Sequence, residues 1–600
     1  MTGIRKRKTL SGGAASHRQL LLEREKGSYL KKWTGRLPVA LIYPNTYKVG
    51  MSSLGFQLVY SLLNEEEAVV CERFFLSGSE ESPRSIESAR PLDHFSLIFI
   101  SLSFEHDYQH LIELLLAAGI EPFAEKRGDE ISVSAPLLIC GGVIAFMNPE
   151  PVAPFIDLFL VGEAEPVLSD LMAALAQGLS AGIPRAELLG AINRSLPGCY
   201  APAFYTPEYD ANGWLKGYKS PDTLPKRIKK VTLAGCRRAG HSQLLTSEAE
   251  FSDLYLTELG RGCSRGCRFC TAGFIYRPPR LWDAEAVIAG LAERDESVNR
   301  VGLLGMEMAD RAVLDRIAAH LSQTGCALSF SSLRADRITP TLLNLLAESH
   351  LKTVAIAPDG ASERLRRVIN KGLTEEDLLN AAEQLAEAGL YTLKLYLMIG
   401  LPTETDEDLQ EAIDLVRKIK GRIDPVGRLR GRLCEIRISI NCFAPKPWTP
   451  FQYHPFGTSE RLARGAIGSA REAVSELKRR LKFLRMGLAQ EANVHFSHDK
   501  AEHVLFQAIL ARGDRRLAPV LYEMAKHGTA WKQAMKRHDL TAEQFAVCGL
   551  DETSCFPWDI IDHGIEAGYL WQEYLRAFEG KTSAPCDTKI CRRCGVCHGQ

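Results

Sequence analysis

A chain of 600 residues is too long for one hydrophobic core, so we expect about three or four domains. Lysine plus arginine equals aspartate plus glutamate at 73 each, which excludes a bulk electrostatic attraction to nucleic acid or to an anionic membrane. No apolar run approaches the roughly 20 residues that cross a bilayer, and no signal peptide is recognisable, so we expect a cytoplasmic protein without a membrane partner.

Residues 1–35 are polar, and residues 36–180 then alternate short apolar runs with helical patterns. The predicted strands are Val39–Tyr43, Leu97–Ser101, Leu137–Cys140 and Leu158–Val161, and the predicted helices are Gly55–Asn64 and His106–Ala118. This alternation favours a flavodoxin-like or Rossmann-like parallel sheet, in which ligands bind beyond the carboxyl ends of the strands. The residues at those ends are Asn45 to Gly50, Ser101, Ser103, Gly141 and Gly142. Residues 181–250 are predicted to be a connecting region with few clear elements.

A second alternation runs through residues 251–491. Its predicted strands are Leu254–Leu259, Val301–Gly305, Ala327–Ser332, Thr353–Ala357, Leu393–Gly400 and Glu435–Cys442. Six such units with helices between them indicate a partial (β/α)6 barrel, which places its chemistry at the carboxyl ends of the strands. A long amphipathic helix, about Ser459–Glu491, is expected to close this domain. Residues 492–600 are predicted to be mostly helical, with a cysteine-rich end.

The first cysteine cluster is Cys263-Ser-Arg-Gly-Cys267-Arg-Phe-Cys270, directly after the first strand of the second domain. Three thiolates on a Gly-rich loop can wrap around one four-iron cubane and leave one iron open. An open coordination position distinguishes a reactive metal centre from a structural one. The motif therefore predicts a reactive iron–sulfur cluster, and the alternative is a zinc knuckle that lacks a ligand.

The second cysteine cluster lies at the C-terminal end of the sequence. Its four members are Cys586, Cys591, Cys594 and Cys597. Four thiolates suffice for a closed four-coordinate site, which is either a second iron–sulfur cluster or structural zinc. A tail of free thiols is the other interpretation. The remaining nine of the sixteen cysteines are scattered, and we expect them to be buried as small apolar residues.

The spacing of Cys263, Cys267 and Cys270, with Phe269 before the third cysteine, resembles the cluster motif of the radical S-adenosylmethionine superfamily. The resemblance implies a 4Fe–4S cluster whose open iron chelates S-adenosylmethionine and whose electron cleaves it to a 5′-deoxyadenosyl radical. It also implies contacts to S-adenosylmethionine after the second, third and fifth strands, at Gly305, Glu307, Ser332, Arg334 and Gly400. Gly305 aligns with the first glycine of the family's Gly-Gly-Glu pattern, and Met306 departs from it.

The order of the two domains resembles the cobalamin-binding subfamily, and more narrowly an uncharacterised group within it. The shared segments are residues 43–55, 148–155, 162–163, 394–404 and 443–452, with Pro358. The resemblance covers about residues 36–600 and implies contacts to the cobalamin nucleotide tail at Gly50, Ser101, Ser103, Gly141 and Gly142.

The loop that carries the cobalt-ligating histidine in classical cobalamin domains has none here. The family's Asp-x-His-x-x-Gly reads Asn45-Thr-Tyr-Lys-Val-Gly50 in this sequence. Two alternatives stay open. Either cobalamin binds without a protein ligand to cobalt, with Tyr47 or Lys48 nearby, or the domain has kept the fold and lost the cofactor.

We therefore predict an α/β radical enzyme that abstracts hydrogen from an unactivated carbon, with the cofactor carrying the hard chemistry. If cobalamin is bound, methyl transfer to that carbon is the leading outcome. The alternatives are sulfur insertion or rearrangement aided by the C-terminal metal site, as in methylthiotransferase-like relatives, and a non-catalytic iron–sulfur scaffold or electron-transfer protein. The expected partner is a small reductant such as flavodoxin or ferredoxin. The substrate class, whether small molecule, protein or RNA, stays open.

Overall fold

The computed structural model describes residues 17–76, 82–235, 239–252, 254–305, 311–329 and 332–597. Its N-terminal part is built on a six-stranded sheet, the N-terminal sheet, in which the last strand is antiparallel and the others are parallel. In spatial order its strands are Val69–Phe75, Leu37–Tyr43, Leu97–Ser101, Leu137–Gly141, Leu158–Leu160 and Cys199–Tyr200. All four predicted strands are present, so the predicted flavodoxin-like alternation is confirmed.

The strand Val69–Phe75 was not predicted, because it carries Glu72 and Arg73 in its middle. Both side chains are buried nonetheless. Arg73 makes ion pairs with Glu25 at 2.7 Å and Glu87 at 2.6 Å, which compensates the loss of its hydration. Such partners are distant in sequence, so the hydrophobic pattern alone could not reveal this strand.

Helices cover both faces of the N-terminal sheet. Alternate residues of one strand serve the two faces, so Val39 and Leu41 belong to one apolar cluster and Ala40 and Ile42 to the other. The α-helices of this part are Tyr47–Gly50, Leu54–Glu65, Asp107–Ala117, Val143–Met147, Leu168–Ser180 and Arg185–Ser195, and the short 3-10 helices are Leu92–His94, Ala124–Lys126, Glu150–Phe155 and Pro202–Phe204.

The prediction that residues 181–250 hold few clear elements is wrong. Besides the helix Arg185–Ser195 and the sheet strand Cys199–Tyr200, the region contains the hairpin Thr206–Tyr209 with Leu215–Lys219. Ile228–Lys229 pairs with Ile561–Asp562, and Leu245–Thr246 pairs with Glu25–Lys26. These strands are two to five residues long, too short to show a periodicity, and two of them pair with segments hundreds of residues away.

Among its described residues, the second part contains seven parallel strands in two adjoining sheets. The strands are Tyr255–Glu258, Arg300–Leu304 and Ala327–Ser329, then Thr353–Asp359, Thr392–Ile399, Glu435–Cys442 and Val494–His498. A parallel bridge between Leu333 and Ile356 joins the two sheets into an open barrel wall. The six predicted strands are confirmed. The seventh strand, Val494–His498, extends the barrel wall beyond residue 491.

Helices follow the barrel strands. They are Ala272–Ile275, Ala284–Ala292, Arg311–Gln323, Pro340–Glu348, Glu363–Val368, Glu375–Glu387, Asp406–Leu429 and Ala470–Leu488. The short pair Gly260–Arg261 and Arg280–Leu281 and the 3-10 helices Ala335–Arg337 and Pro450–Tyr453 complete this part. The predicted helix Ser459–Glu491 is shorter at both ends, Ala470–Leu488. It starts where the Ser469 hydroxyl caps the amide of Glu472, after two loop glycines, Gly465 and Gly468.

The C-terminal part is mostly helical, as predicted. Its elements are Ala501–Arg512, Ala518–His527, Trp531–Arg537, Ala542–Ala546 and Tyr569–Phe578, with 3-10 helices Arg515–Leu517 and Pro557–Ile560 and the strand Ile561–Asp562. No helix of the described ranges is both long and apolar enough to span a membrane. Of the scattered cysteines in these ranges, Cys555 is exposed, contrary to prediction, whereas the others are buried. Cys236 lies outside the described residues.

His454 joins the barrel to the C-terminal helices and is fully buried. Its Nδ1 accepts a hydrogen bond from the Tyr574 hydroxyl at 3.0 Å, and its Nε2 donates to the Thr458 carbonyl oxygen at 2.9 Å. Burial lowers the pKa of His454 from 6.5 to about 4, so the folded protein keeps this ring neutral.

We expect a His454→Phe variant to lose less stability than the parent when the pH falls from 7 to 5. The unfolded chain binds a proton on this imidazole below pH 6.5, whereas the folded chain does so only near pH 4. Stability that is present above pH 6.5 is therefore lost on acidification, by about 2 kcal/mol at pH 5. Urea denaturation of both proteins at the two pH values measures the difference. An equal loss in the variant would contradict the assignment.

Candidate active site

The loop after the first barrel strand, the cluster loop (residues 259–271), carries the three cysteines of the first cluster, Cys263, Cys267 and Cys270. All three are half-buried. Gly262 has a φ of +93°, and a Cβ there would lie 2.9 Å from the carbonyl oxygen of Tyr276. Only glycine fits this close approach without strain, so the loop can fold back on itself and bring the three thiols together.

The three thiols influence one another electrostatically. Burial raises the pKa of the Cys267 thiol to about 12, the Lys371 ammonium opposes this shift, and Cys270 and Cys263 add to it. In the described ranges no three His, Cys, Asp or Glu side chains lie close enough to share a single ion. A cubane instead spreads its ligands over separate irons, so three half-buried thiols on one loop fit such a cluster.

Asp359 and Lys371 form an ion pair of 2.5 Å beside these thiols. Asp359 ends the strand Thr353–Asp359 with a φ of +58°, a strained position for a residue that is not glycine. Arg334 donates hydrogen bonds to the carbonyl oxygens of Lys371 at 2.6 Å and Gly372 at 3.0 Å. Sequence analysis missed Asp359 and Lys371. The signal was available for Asp359, which is an acidic residue at the carboxyl end of a barrel strand.

The other predicted S-adenosylmethionine contacts follow the barrel strands. Gly305 follows the strand Arg300–Leu304 with a φ of +86°, and Ser332 is partly exposed beside the bridge that joins the two barrel sheets. Glu307 lies outside the described residues. Gly305, Ser332 and Arg334 therefore lie at the carboxyl ends of two neighbouring strands, which is where the sequence analysis placed them.

Gly400, the predicted contact after the fifth strand, is held by a buried carboxylate. Its amide donates to Glu404 at 2.6 Å, and Glu404 forms an ion pair with Arg480. Burial raises the pKa of Glu404 to about 7 against the opposing effect of Arg480. Gly400 has a φ of +78°, and a Cβ there would meet the Leu477 side chain at 2.7 Å. The ion pair therefore fixes a loop that has little room to move.

We expect Glu404→Ala to lower the free energy of unfolding by about 3–5 kcal/mol, because it leaves the Arg480 charge buried beside the Gly400 loop. Glu476, the other partner of Arg480 at 2.8 Å, is the matched control, since its side chain is 35% exposed. Glu476→Ala should cost less than about 1 kcal/mol. Chemical denaturation compares the two variants, and equal losses would show that the buried partner has no special role.

A cavity of about 400 Å³ lies between the carboxyl edge of the N-terminal sheet and the cluster loop. The sheet contributes Ser101, Ser103, Gly141 and Gly142, all of which were predicted from the sequence. The cluster loop contributes Gly260, Arg261 and Gly262. Much of the remaining lining is apolar, including Leu41, Phe99, Ile139 and Phe146. Two distant segments of the sequence thus form one ligand-sized site of the kind that doubly wound sheets present.

The two glycines of the sheet edge play different parts. Gly142 has a φ of +92°, and a Cβ there would lie 2.5 Å from the Leu102 carbonyl oxygen, so the backbone requires glycine. Gly141 has no atom within 4 Å of its Cβ position and faces open space. A side chain at residue 141 would therefore occupy the cavity without disturbing the sheet.

Gly50 does not line the cavity, contrary to prediction. It packs against the Phe75 ring, which a Cβ would meet at 2.4 Å. Tyr47 donates a hydrogen bond to Glu25, and Lys48 pairs with Glu250 at 3.1 Å. Glu25 and Glu250 hold these two side chains outside the cavity lining, so neither lies where it was expected, beside the cobalt. The sequence could not reveal this, because these two glutamates come from outside the domain.

His241 lines the cavity and was missed by sequence analysis. Its ring stacks on Tyr255, its Nδ1 lies 3.1 Å from the Ala239 carbonyl oxygen, and its Nε2 lies 3.1 Å from Glu293. Both ring nitrogens already have partners, so this side chain is not poised to bind a metal. No histidine replaces the missing loop histidine among the described residues that line the cavity.

A charged network joins the N-terminal sheet to the cluster loop. Glu163 pairs with Arg280 and lies 3.5 Å from Arg261, and Arg261 also pairs with Glu165 at 2.7 Å and Glu258 at 3.1 Å. Burial raises the pKa of Glu258, and Arg261 opposes that shift. The network fixes the loop against the sheet and places a carboxyl group with a raised pKa in the cavity wall.

The C-terminal cysteines also adjoin the cluster loop. The amide of Cys586 donates to the Ser264 carbonyl oxygen at 2.6 Å, one residue from Cys263. Cys586, Cys591, Cys594 and Cys597 are close enough for their charges to interact. Sequence analysis found both cysteine clusters, but nothing in their spacing indicated that they would adjoin.

Two family models match this sequence. Residues 55–202 match "Radical SAM proteins, N-terminal", and residues 257–416 match "Radical SAM superfamily". The second match includes the end of the first barrel strand, the cluster loop and the second to fifth barrel strands.

The chain is also similar to whole proteins. It is 31% identical over 506 residues to an uncharacterised protein of Methanocaldococcus jannaschii. The aligned residues make up 84% of this chain and 94% of the relative. It is 22% identical over 293 residues to an uncharacterised methyltransferase of Pyrococcus horikoshii, with 47% and 58% of the two chains covered. Among solved structures, it matches the radical S-adenosylmethionine methyltransferase TsrM of Kitasatospora setae, with a TM-score of 0.50 and 13% identity over 84% of this chain and 98% of the other. That likeness concerns the fold.

Proposed function

This chain belongs to the radical S-adenosylmethionine superfamily, and on that premise we propose that it is a cobalamin-dependent methyltransferase acting on an unactivated carbon. As a member of the superfamily it is an enzyme that uses a 4Fe–4S cluster and S-adenosylmethionine. Cobalamin, when bound, supplies a cobalt that can accept and pass on a methyl group. The remaining roles belong to residues of this chain.

The cavity between the N-terminal sheet and the cluster loop carries the proposal. A methyl group must pass between S-adenosylmethionine at the cluster and a second cofactor, so both must reach one enclosed space. The cavity has the cluster loop on one side, through Gly260 and Arg261, and the glycine–serine edge of the sheet on the other. Gly141 leaves room for a ligand, and the hydroxyls of Ser101 and Ser103 in the lining can hydrogen-bond to its amide groups, that of Ser103 while also bonded to Tyr43.

In this proposal the residues of the chain bind and orient the cofactors. Cys263, Cys267 and Cys270 hold the cluster. The contacts proposed for S-adenosylmethionine are Gly305, Glu307, Ser332, Arg334 and Gly400. Arg261 and Glu163 keep the cluster loop against the cavity, and Glu258, whose pKa burial raises, can hold a proton beside the bound groups.

The proposed reaction also requires an electron donor. The cluster needs one electron at low potential, which a flavodoxin or ferredoxin supplies, and such donors go with a cytoplasmic location. We propose that no side chain of the protein binds cobalt. Tyr47 is hydrogen-bonded to Glu25, Lys48 pairs with Glu250, and both ring nitrogens of His241 have partners.

Titration of the anaerobic, cluster-loaded protein with hydroxocobalamin tests the proposal. We expect binding at micromolar concentrations with the base-off absorption spectrum, since no histidine replaces the lower base of the cofactor. Binding with a base-on or histidine-ligated spectrum would contradict the predicted coordination. No binding would refute cobalamin-dependent methyl transfer and leave the N-terminal domain a role in substrate recognition.

Sulfur insertion is the second candidate, favoured by the contact between the C-terminal cysteines and the cluster loop. It predicts transfer of sulfur to the substrate without any requirement for cobalamin. Formation of 5′-deoxyadenosine from S-adenosylmethionine under reduction, measured without substrate, separates either enzyme from a non-catalytic scaffold.

A further inference from the structure

The C-terminal tail (residues 579–597) packs along the cluster loop. The Lys581 carbonyl oxygen accepts a hydrogen bond from the Arg268 side chain at 2.7 Å, and the Cys586 amide donates to Ser264 at 2.6 Å. Between them, the Ser583 amide donates to the Asn370 side chain at 2.8 Å. Asn370 in turn donates to carbonyl oxygens of the cluster loop at 3.3 Å. The tail is therefore bonded to the loop directly at two points and, between them, through Asn370.

Arg268 anchors this arrangement from inside the Cys-x-x-Cys segment. It is fully buried, pairs with Glu573 at 3.1 Å and donates to the Val368 carbonyl oxygen at 2.8 Å. Glu573 belongs to the helix Tyr569–Phe578 that leads into the tail, and it also accepts from the Ser583 hydroxyl at 2.6 Å. One guanidinium between two cluster ligands thus holds both the last helix and the tail.

The four tail cysteines converge in a segment without helices or strands in the described residues. Cys594 and Cys597 are buried, although the surrounding tail is largely exposed. The Arg277 guanidinium donates a hydrogen bond to Cys594, and the Arg593 amide and guanidinium do so to Cys591. Gly595 has a φ of +80°, and a Cβ there would collide with Glu566 at 2.3 Å. A tight turn therefore brings the thiols together beside two cations.

We propose that Cys586, Cys591, Cys594 and Cys597 bind a second metal centre with four thiolate ligands, which clamps the tail onto the cluster loop. A segment of this kind has too little apolar surface to order itself, and four metal–thiolate bonds supply the missing free energy. The thiols release their protons on binding, and the two arginines offset the negative charge that four thiolates create. A 4Fe–4S cluster spreads four thiolates over four irons, which fits thiols that are not close enough to share one zinc ion.

The test uses the full-length chain with Cys263, Cys267 and Cys270 replaced by alanine, so that any remaining bound metal belongs to the tail. After anaerobic reconstitution with iron and sulfide we expect about four irons per chain, whereas about one zinc per chain would overturn the assignment of a cluster. Adding Cys591→Ser and Cys594→Ser should remove that metal, whereas Cys555→Ser, at the exposed cysteine outside both clusters, should not. Truncation after Lys581 should have the same effect as the double substitution.

Hydrogen exchange in the same background tests the clamp. The amides of Ser583 and Cys586 should exchange at least about tenfold faster without the tail metal, since local opening then costs about 1.4 kcal/mol less. Absence of metal from the triple-alanine protein, or unchanged protection when the metal is removed, would overturn the inference. Both readouts are independent of cobalamin and of catalysis, so their failure is distinguishable from failure of the proposed function.

Discussion

Replacing Cys263, Cys267 and Cys270 together by alanine is expected to remove one four-iron cluster and to abolish the reductive cleavage of S-adenosylmethionine. The three thiols belong to one loop that closes only because Gly262 adopts a positive φ. Each thiol carries one iron, so the loss of all three leaves the cluster without protein ligands. Iron and sulfide analysis, with chromatographic detection of 5′-deoxyadenosine under reduction, measures both effects.

Cys555→Ser is the matched control, because Cys555 is exposed and remote from both clusters in sequence. It should keep full iron content at the first site and full cleavage activity. If the triple variant still formed 5′-deoxyadenosine above the background without protein, the assignment of the cluster loop would be wrong. Any iron that remains in the triple variant is assigned to the tail only if Cys591→Ser and Cys594→Ser then remove it.

Gly141→Leu is expected to raise the dissociation constant for cobalamin at least about a hundredfold, or about 2.8 kcal/mol, while the iron–sulfur signal stays intact. The leucine side chain would extend into the cavity, because nothing lies within 4 Å of the Gly141 Cβ position. Gly142 is a poorer site for this experiment. Its φ of +92° and its contact with Leu102 would make any substitution strain the sheet itself.

Gly421→Leu is the matched control for this variant. Gly421 is exposed on the helix Asp406–Leu429, and it too has no atom within 4 Å of its Cβ position. Both proteins would be titrated with hydroxocobalamin after cluster loading, with absorbance recorded in the visible range. Equal binding by the two variants would show that the cavity is not the cobalamin site. Loss of binding in both would point to damage from cluster loading instead.

The alternation of strands and helices could be predicted from the sequence because it depends on short-range patterns. A strand buried on both faces needs a run of apolar residues, as in Leu97–Ser101, and its bounds were predicted without error. The strand Val69–Phe75 was not predicted, because the charge of its buried Arg73 is compensated by Glu25 and Glu87 rather than by neighbours in sequence. The helix Ala470–Leu488 was predicted too long because charged periodicity continues through a loop that glycines interrupt.

The sequence by itself determined the two cysteine clusters, the glycine–serine edge of the first sheet and the order of the domains, because each can be assembled from short local runs of residues. Only the tertiary structure decided which of these features share a site. It brought Cys586 against Ser264 and Glu163 against Arg261, and it covered Gly50 with Phe75. Such contacts join segments tens to hundreds of residues apart, and their geometry follows from how whole sheets pack rather than from any local pattern.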